Sequence, residues 1–204
     1  MKSDYLKPST YEALYRVMQR DNVLAIRVSL ETGLRIDDVL RLKWENFKKP
    51  PYFTYFAKKT GKKGVKKLTN QLKTELFHRN TGDSEYVFPG RKRGQHRTRQ
   101  AVWKDIKKAS ELMGVTLNAS PHSARKTYAV ELRKEKGLAE VQKELQHADM
   151  NTTMLYAFSD LVRAGKREPV PASEDILAFA EMIAKRVAEL LLPEIIKAKE
   201  KDQD

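Results

Sequence analysis

The sequence predicts a mainly α-helical domain that carries one small antiparallel β-sheet. Apolar residues recur at helical spacing in several separate segments. A single aromatic, β-prone segment, residues 52–57, is followed by a turn rich in lysine and glycine. Helix start and stop signals, chiefly prolines and glycines, separate the helical segments from one another. These three observations define an α+β fold class with little sheet.

Three helices are expected in the N-terminal part of the chain. Ser9 and Glu12 have the spacing of a capping box, which predicts a helix start at Ser9. The second helix is expected over residues 23–31, with Gly33 as its left-handed C-cap. Residues 36–42 carry the apolar stripe of a third helix.

The small sheet is expected to be a hairpin. Residues 52–57 form its first strand, residues 58–64 form the turn, and residues 65–69 return. The short apolar segment 86–88 is the remaining strand candidate, so the sheet has three strands or fewer. A helix is expected over residues 71–79, between the hairpin and this segment.

The second half of the domain is predicted to be helical. Four helices are expected, over residues 101–113, 121–136, 139–146 and 152–158. Pro121 occupies the favoured first helical position, and Gly137 ends that helix. A proline-containing linker and a long amphipathic helix, residues 173–199, follow. The predicted division is therefore a domain over residues 1–165 and a tail over residues 166–204.

The charge of the chain indicates a polyanionic partner. There are 40 lysines and arginines against 27 acidic residues, a formal charge of +13. A protein that is basic without such a partner is the alternative. The lack of cysteine excludes disulfides, thiolate zinc sites and cysteine nucleophiles. Without a signal-like N-terminus or a run of roughly 20 apolar residues, a cytoplasmic protein with no membrane association is expected.

Four separated segments hold residue types suited to cutting and rejoining DNA: residues 32–38, 59–61, 122–128 and 145–156. A tyrosine ester of phosphate retains the energy of the broken strand, so that rejoining needs no ATP. Arginines neutralise phosphate charge without a metal. A lysine can protonate the leaving oxygen, and a histidine can relay a proton.

Spacing alone brings only some of these residues together. His122 and Arg125 are three apart on a predicted helix and share a face. His147 and Tyr156 are nine apart across a helix junction. Periodicity does not bring Arg35 near Arg125.

The four segments resemble the signature boxes of the tyrosine recombinase family, which includes phage integrases and bacterial Xer recombinases. The first box is similar to Thr32-Gly33-Leu34-Arg35 with Asp38, and the second to His122 and Arg125. The third box is a histidine followed nine residues later by the nucleophilic tyrosine, as in His147 and Tyr156. Gln146 stands where the family usually has glycine.

The resemblance implies a recombinase catalytic-domain fold and a set of residue roles. Tyr156 would form a 3′-phosphotyrosine, with Lys59, in a Lys-Thr-Gly hairpin, as the general acid. The remaining catalytic residues would be Arg35, His122, Arg125 and His147. Asp38 would support the arginines, and DNA contacts are expected from Lys58, Lys62, Arg91, Arg93, Arg97 and Arg99.

The resemblance also implies partners. Double-stranded DNA is the substrate, a homotetramer is expected on DNA, and a monomer is left open for the free protein. No cofactor and no metal are implied. The family's usual N-terminal core-binding domain is expected to be absent from this sequence, and the tail is as compatible with docking in cis as in trans.

Three alternatives remain at this level. A type IB topoisomerase uses similar residues, and a non-catalytic DNA-binding module can retain the same fold. An RNA-binding helical protein would rest on charge alone. Taken singly, each candidate residue also has a structural interpretation, such as a solvated turn lysine at position 59 or a half-buried aromatic at position 156. The combination of boxes in order favours the recombinase.

Overall fold

The protein is described here by a computed structural model that covers residues 3–145, residues 150–160 and the single position 181. Residues 1–160 form one compact unit. The predicted tail over residues 166–204 lies outside the described residues apart from position 181, so the proposed division of the chain stays a prediction. Within the described part, no helix combines the length and the apolar composition needed to cross a bilayer.

The described residues contain eight α-helices, a short 3₁₀ turn and one two-stranded sheet. The helices are α1 (Pro8–Tyr15), α2 (Arg20–Thr32), α3 (Ile36–Leu40), α4 (Asn70–Phe77), α5 (Arg99–Leu112), α6 (Pro121–Lys136), α7 (Leu138–Leu145) and α8 (Met150–Ala157). The strands are β1 (Tyr52–Ala57) and β2 (Lys62–Lys67), and the 3₁₀ turn is Trp44–Asn46. This confirms the predicted fold class.

The start of α1 corrects the sequence prediction. Lys7 is the N-cap, with an extended backbone and no side-chain capping bond, and Pro8 takes the first turn. The expected capping box at Ser9 is therefore wrong, because the fixed φ of a proline already suits the first helical position. Further on, Gly33 ends α2 with φ of 69°, as predicted.

The hairpin is tighter than the sequence suggested. Its strands pair antiparallel with Tyr52 opposite Lys67 and Ala57 opposite Lys62. The turn is confined to residues 58–61, because Gly61 adopts φ of 68° and lets the chain reverse at once. Tyr86 makes only an isolated bridge, so the described sheet has two strands.

Helix α6 lies at the centre of the compact unit and packs against α2, α5, α7 and α8. Its start is fixed by a capping box, in which Ser120 and Ser123 exchange side-chain bonds with each other's backbone amides. This start was predicted from Ser120 and Pro121. It places His122 and Arg125 near the N-terminal end of a helix that is surrounded by other elements.

Candidate active site

Arg125 is a buried cation that holds two chain segments together. Its side chain is 3% exposed. Nη1 donates to the carbonyl of Gly33, after α2, and Nη2 donates to the carbonyl of Leu145 at 2.7 Å, at the end of α7. A buried charge needs such partners. Burial, together with repulsion from Arg35, lowers the pKa of Arg125 to about 10, so it is still charged at pH 7.

The turn that contains Gly33 requires a glycine for two reasons. Its φ is positive, and a Cβ at this position would lie 2.5 Å from the ring of Tyr128 and 2.9 Å from Leu145. The turn is also held by the hydroxyl of Ser29, which donates to the carbonyl of Leu34 at 2.7 Å. This turn leads directly into Arg35, which is the N-cap of α3.

Arg35 and Arg125 share one electrostatic environment, although periodicity did not connect them. Desolvation raises the pKa of the Tyr156 hydroxyl, and both arginines oppose this by favouring the phenolate. The same two guanidinium groups favour the ionised form of the buried Asp38. Both arginines are therefore close enough to the phenol to act on its charge.

Tyr156 and His122 are in direct contact. The Tyr156 hydroxyl is hydrogen-bonded to His122 Nε2, and the rings are nearly perpendicular with centroids 5.1 Å apart. Desolvation and the charges of Arg125, Lys126, Arg35 and Arg99 lower the pKa of His122 to about 4. The imidazole is therefore neutral at pH 7, and an unprotonated Nε2 can accept the hydroxyl proton.

Asp38 links the arginine region to the hairpin. It is 4% exposed, and Oδ1 accepts a 3.1 Å bond from the backbone amide of Lys58. Desolvation raises the pKa of Asp38 above its usual value, and the opposing effects of the Lys58 amide, Arg35 and Arg125 offset this only in part. The side chain of Lys59, the next residue, is exposed in the turn. Lys58 and Lys62 are likewise exposed on the hairpin. His147 lies outside the described residues.

The basic loop before α5 divides into two kinds of arginine. Arg91, Arg93 and Arg99 are exposed. Arg97, which was also predicted to contact DNA, is instead bound within the protein. It donates to Asp21 at 2.7 Å, to Asn22 at 3.1 Å and to Gln19 at 3.2 Å. No local sequence signal identifies this role, because Asp21 is 76 residues away.

Sequence reasoning missed a polar cluster between the hairpin and α7. Lys66 of β2 forms an ion pair with Glu144 of α7. The Tyr128 hydroxyl lies 3.4 Å from the same carboxylate oxygen. Lysines occur on both faces of β2, so the usual alternation of polar and apolar residues does not reveal that Lys66 faces inward.

Comparison with known proteins relates this arrangement to one family. The model of the phage integrase family matches residues 4–161. A tyrosine recombinase XerD of Shewanella oneidensis is 31% identical over 135 residues, which cover 61% of this chain and 45% of that protein. A tyrosine recombinase of Pseudothermotoga lettingae is 27% identical over 161 residues, covering 75% and 55%. The chain spans about half the length of these relatives.

Solved structures show the same fold. A lambda integrase dimer bound to a COC′ core site matches with a TM-score of 0.68 and 18% identity, over 85% of this chain and 52% of that one. The catalytic domain of bacteriophage HP1 integrase matches with a TM-score of 0.57 and 21% identity, over 84% of this chain and 100% of that one. The predicted catalytic-domain fold is thereby confirmed.

Proposed function

Because the chain belongs to the phage integrase family, we propose that it is the catalytic domain of a site-specific DNA recombinase. The observation that carries this proposal is the hydrogen bond from Tyr156 to a neutral His122 beside two arginines. A phenol next to a proton acceptor and fixed positive charge is suited to attack a phosphodiester.

The proposed cleavage step assigns one role to each of these residues. The Tyr156 oxygen forms a bond to the phosphorus, the bond from phosphorus to the 5′ oxygen breaks, and a 3′-phosphotyrosine results. His122 accepts the phenolic proton, and Lys59 supplies a proton to the leaving 5′ oxygen. Attack by the 5′ hydroxyl of a partner strand reverses the step and rejoins DNA. His147 is proposed to support the phosphate, as the family resemblance implies.

The two arginines stabilise the charge on the phosphate oxygens during this step. A guanidinium has five N–H donors, so the two carbonyl bonds of Arg125 are compatible with phosphate binding. Because Arg125 is buried and pinned, its charge is already in place before the reaction starts. Asp38 is proposed to support the positions of both arginines through its electrostatic attraction to each.

Duplex DNA is the proposed partner, in agreement with the charge of +13 and with the exposed Arg91, Arg93 and Arg99. A homotetramer on two sites is proposed for strand exchange. The relatives are recombinases, so a type IB topoisomerase is the less favoured alternative. The intact contact between Tyr156 and His122 argues against a non-catalytic module.

Covalent capture on randomised DNA tests the proposal and identifies the DNA site in the same experiment. The full chain is incubated with duplexes that carry randomised inverted repeats and a nick close to the centre, so that cleavage releases a short fragment and becomes irreversible. Adducts that survive denaturation are sequenced. We expect an adduct with the wild type and none with Tyr156→Phe. An equal yield from Tyr156→Phe would refute the assignment, whereas DNA binding without any adduct would support the non-catalytic module.

A further inference from the structure

Lys66 occupies an unusual place for a lysine. It pairs across the hairpin with the fully buried Phe53 and faces the interior with it. Its side chain is 12% exposed, whereas Lys62, Lys63 and Lys67 of the same strand are exposed. A cation that is withdrawn from water in this way is costly unless a partner compensates it.

The partner is the end of α7. Lys66 Nζ forms an ion pair with Glu144 and also lies 3.4 Å from the Glu144 backbone carbonyl. The Tyr128 hydroxyl donates to the same carboxylate oxygen at 3.4 Å, and Lys66 Nζ lies 5.9 Å from the Tyr128 ring centroid. Desolvation alone would raise the pKa of Glu144, but the hydrogen bond and the charge of Lys66 lower it, so the carboxylate is ionised at neutral pH.

This ion pair joins the hairpin to the elements that hold Arg125. Glu144 directly precedes Leu145, whose carbonyl binds Arg125. Tyr128 packs against Gly33, whose carbonyl also binds Arg125. Through these two neighbours, Lys66 is fixed relative to the buried guanidinium.

The hairpin has a second tie near its turn, where Asp38 accepts the amide of Lys58. Between the two ties, the ring of Tyr55 covers Gly64, and a Cβ at Gly64 would lie 2.7 Å from that ring. The two strands are therefore in close contact at mid-length, and this contact connects the Lys66 end of the hairpin to the turn. Lys59 lies in that turn, directly after Lys58, whereas Lys66 pairs with Phe53 towards the other end of the strands.

We propose that the Lys66–Glu144 ion pair is a positioning device for Lys59, which sets the hairpin at the distance from Arg125 that proton delivery to the leaving oxygen requires. This inference rests on the proposed function, because it concerns the same cleavage step. An apolar residue at position 66 would bury the strand equally well. Such a residue would not, however, fix the strand to one point of α7. The Lys66 ammonium does so, because it binds both the carboxylate and the backbone carbonyl of Glu144.

Replacement of the leaving oxygen by sulfur tests the proposal. Tyr156 still attacks the phosphorus, but the phosphorus–sulfur bond breaks and the thiolate leaves without a proton, because a thiol has a pKa of about 8.5. The full-length variants Lys66→Met and Glu144→Gln are compared on the duplexes identified by covalent capture, prepared with either oxygen or sulfur as the leaving atom. Lys67→Met, the same substitution on the outer face of the same strand, is the matched control.

We expect Lys66→Met and Glu144→Gln to slow adduct formation on the oxygen substrate by roughly 10- to 100-fold, the range that a small misplacement of a reacting group produces. Both should recover on the sulfur substrate, and Lys67→Met should show the wild-type ratio of the two rates. If Lys66→Met slows both substrates equally, its role is structural or in DNA binding, and the proposal is wrong.

Deuterium uptake by the free protein gives an independent readout. Lys66→Met should increase uptake selectively in residues 58–61, whatever its effect on the melting temperature, and Lys67→Met should not. Unchanged uptake in Lys66→Met would overturn the proposal. If the wild type forms no adduct on either substrate, the proposed function fails, and deuterium uptake alone then decides whether Lys66 positions the turn.

Discussion

Arg125 and Lys59 are assigned to the same phosphate but lie in contrasting regions. Arg125 is 3% exposed and binds two backbone carbonyls from distant segments. Lys59 is exposed in a four-residue turn. The first cation is part of the scaffold, so its chemistry and the stability of the fold depend on the same bonds. Because the Lys59 side chain is exposed, its removal can abolish proton transfer while the fold stays stable.

The largest effect is expected from Arg125→Met, which tests the coupled region. The rate of adduct formation should fall by at least about 100- to 1,000-fold, as for loss of a fixed oxyanion donor. The carbonyls of Gly33 and Leu145 would lose their bonds inside the protein, which costs about 1–3 kcal/mol each. Adduct trapping and urea denaturation measure the two losses. A variant that loses activity at wild-type stability would show that the charge of Arg125 is not coupled to the fold.

Lys59→Met is the matching change in the hairpin. Loss of a general acid should slow adduct formation by about 100- to 10,000-fold on the oxygen substrate. The free energy of unfolding should stay within about 0.5 kcal/mol of the wild type, since the side chain is exposed. A sulfur leaving group should restore the rate. A loss of stability comparable to that of Arg125→Met would contradict the comparison.

The sequence was informative where a signal is local. Ser120 and Pro121 predicted the start of α6, and Gly33 predicted the end of α2, because capping and positive φ depend on adjacent residues. The contact of Tyr156 with His122 spans 34 residues, and the ion pair of Lys66 with Glu144 spans 78. Such contacts depend on the packing of whole helices, and spacing along the chain does not encode them.

The basic loop repeats the same contrast on a smaller scale. Arg97→Met should lower the free energy of unfolding by about 1–3 kcal/mol, because the bonds to Asp21, Asn22 and Gln19 are lost. The exposed Arg93 serves as its matched control. Arg93→Met should change stability by less than about 0.5 kcal/mol. It should reduce the slope of log DNA affinity against log salt by about 0.9 if it contacts one phosphate. Equal free energies of unfolding for Arg97→Met and Arg93→Met would contradict the distinction between a structural arginine and an exposed one.

The smallest expected effect concerns the proton on His122. Its pKa is lowered from 6.5 to about 4 in the fold, so between these values the unfolded chain binds a proton that the folded chain does not. This group therefore makes the free energy of unfolding fall as the pH decreases from 6.5 to 4, with no further change below. Because the ring retains solvent contact, the effect should be less than about 1 kcal/mol.

His122→Gln lacks this proton, whereas the other titrating groups are common to both proteins. Urea denaturation from pH 7 to 4 should therefore show the wild type losing more stability than His122→Gln. Parallel curves would mean that Arg35, Arg125 and Arg99 are screened from His122 and that the arginine region is more open to water than its burial indicates.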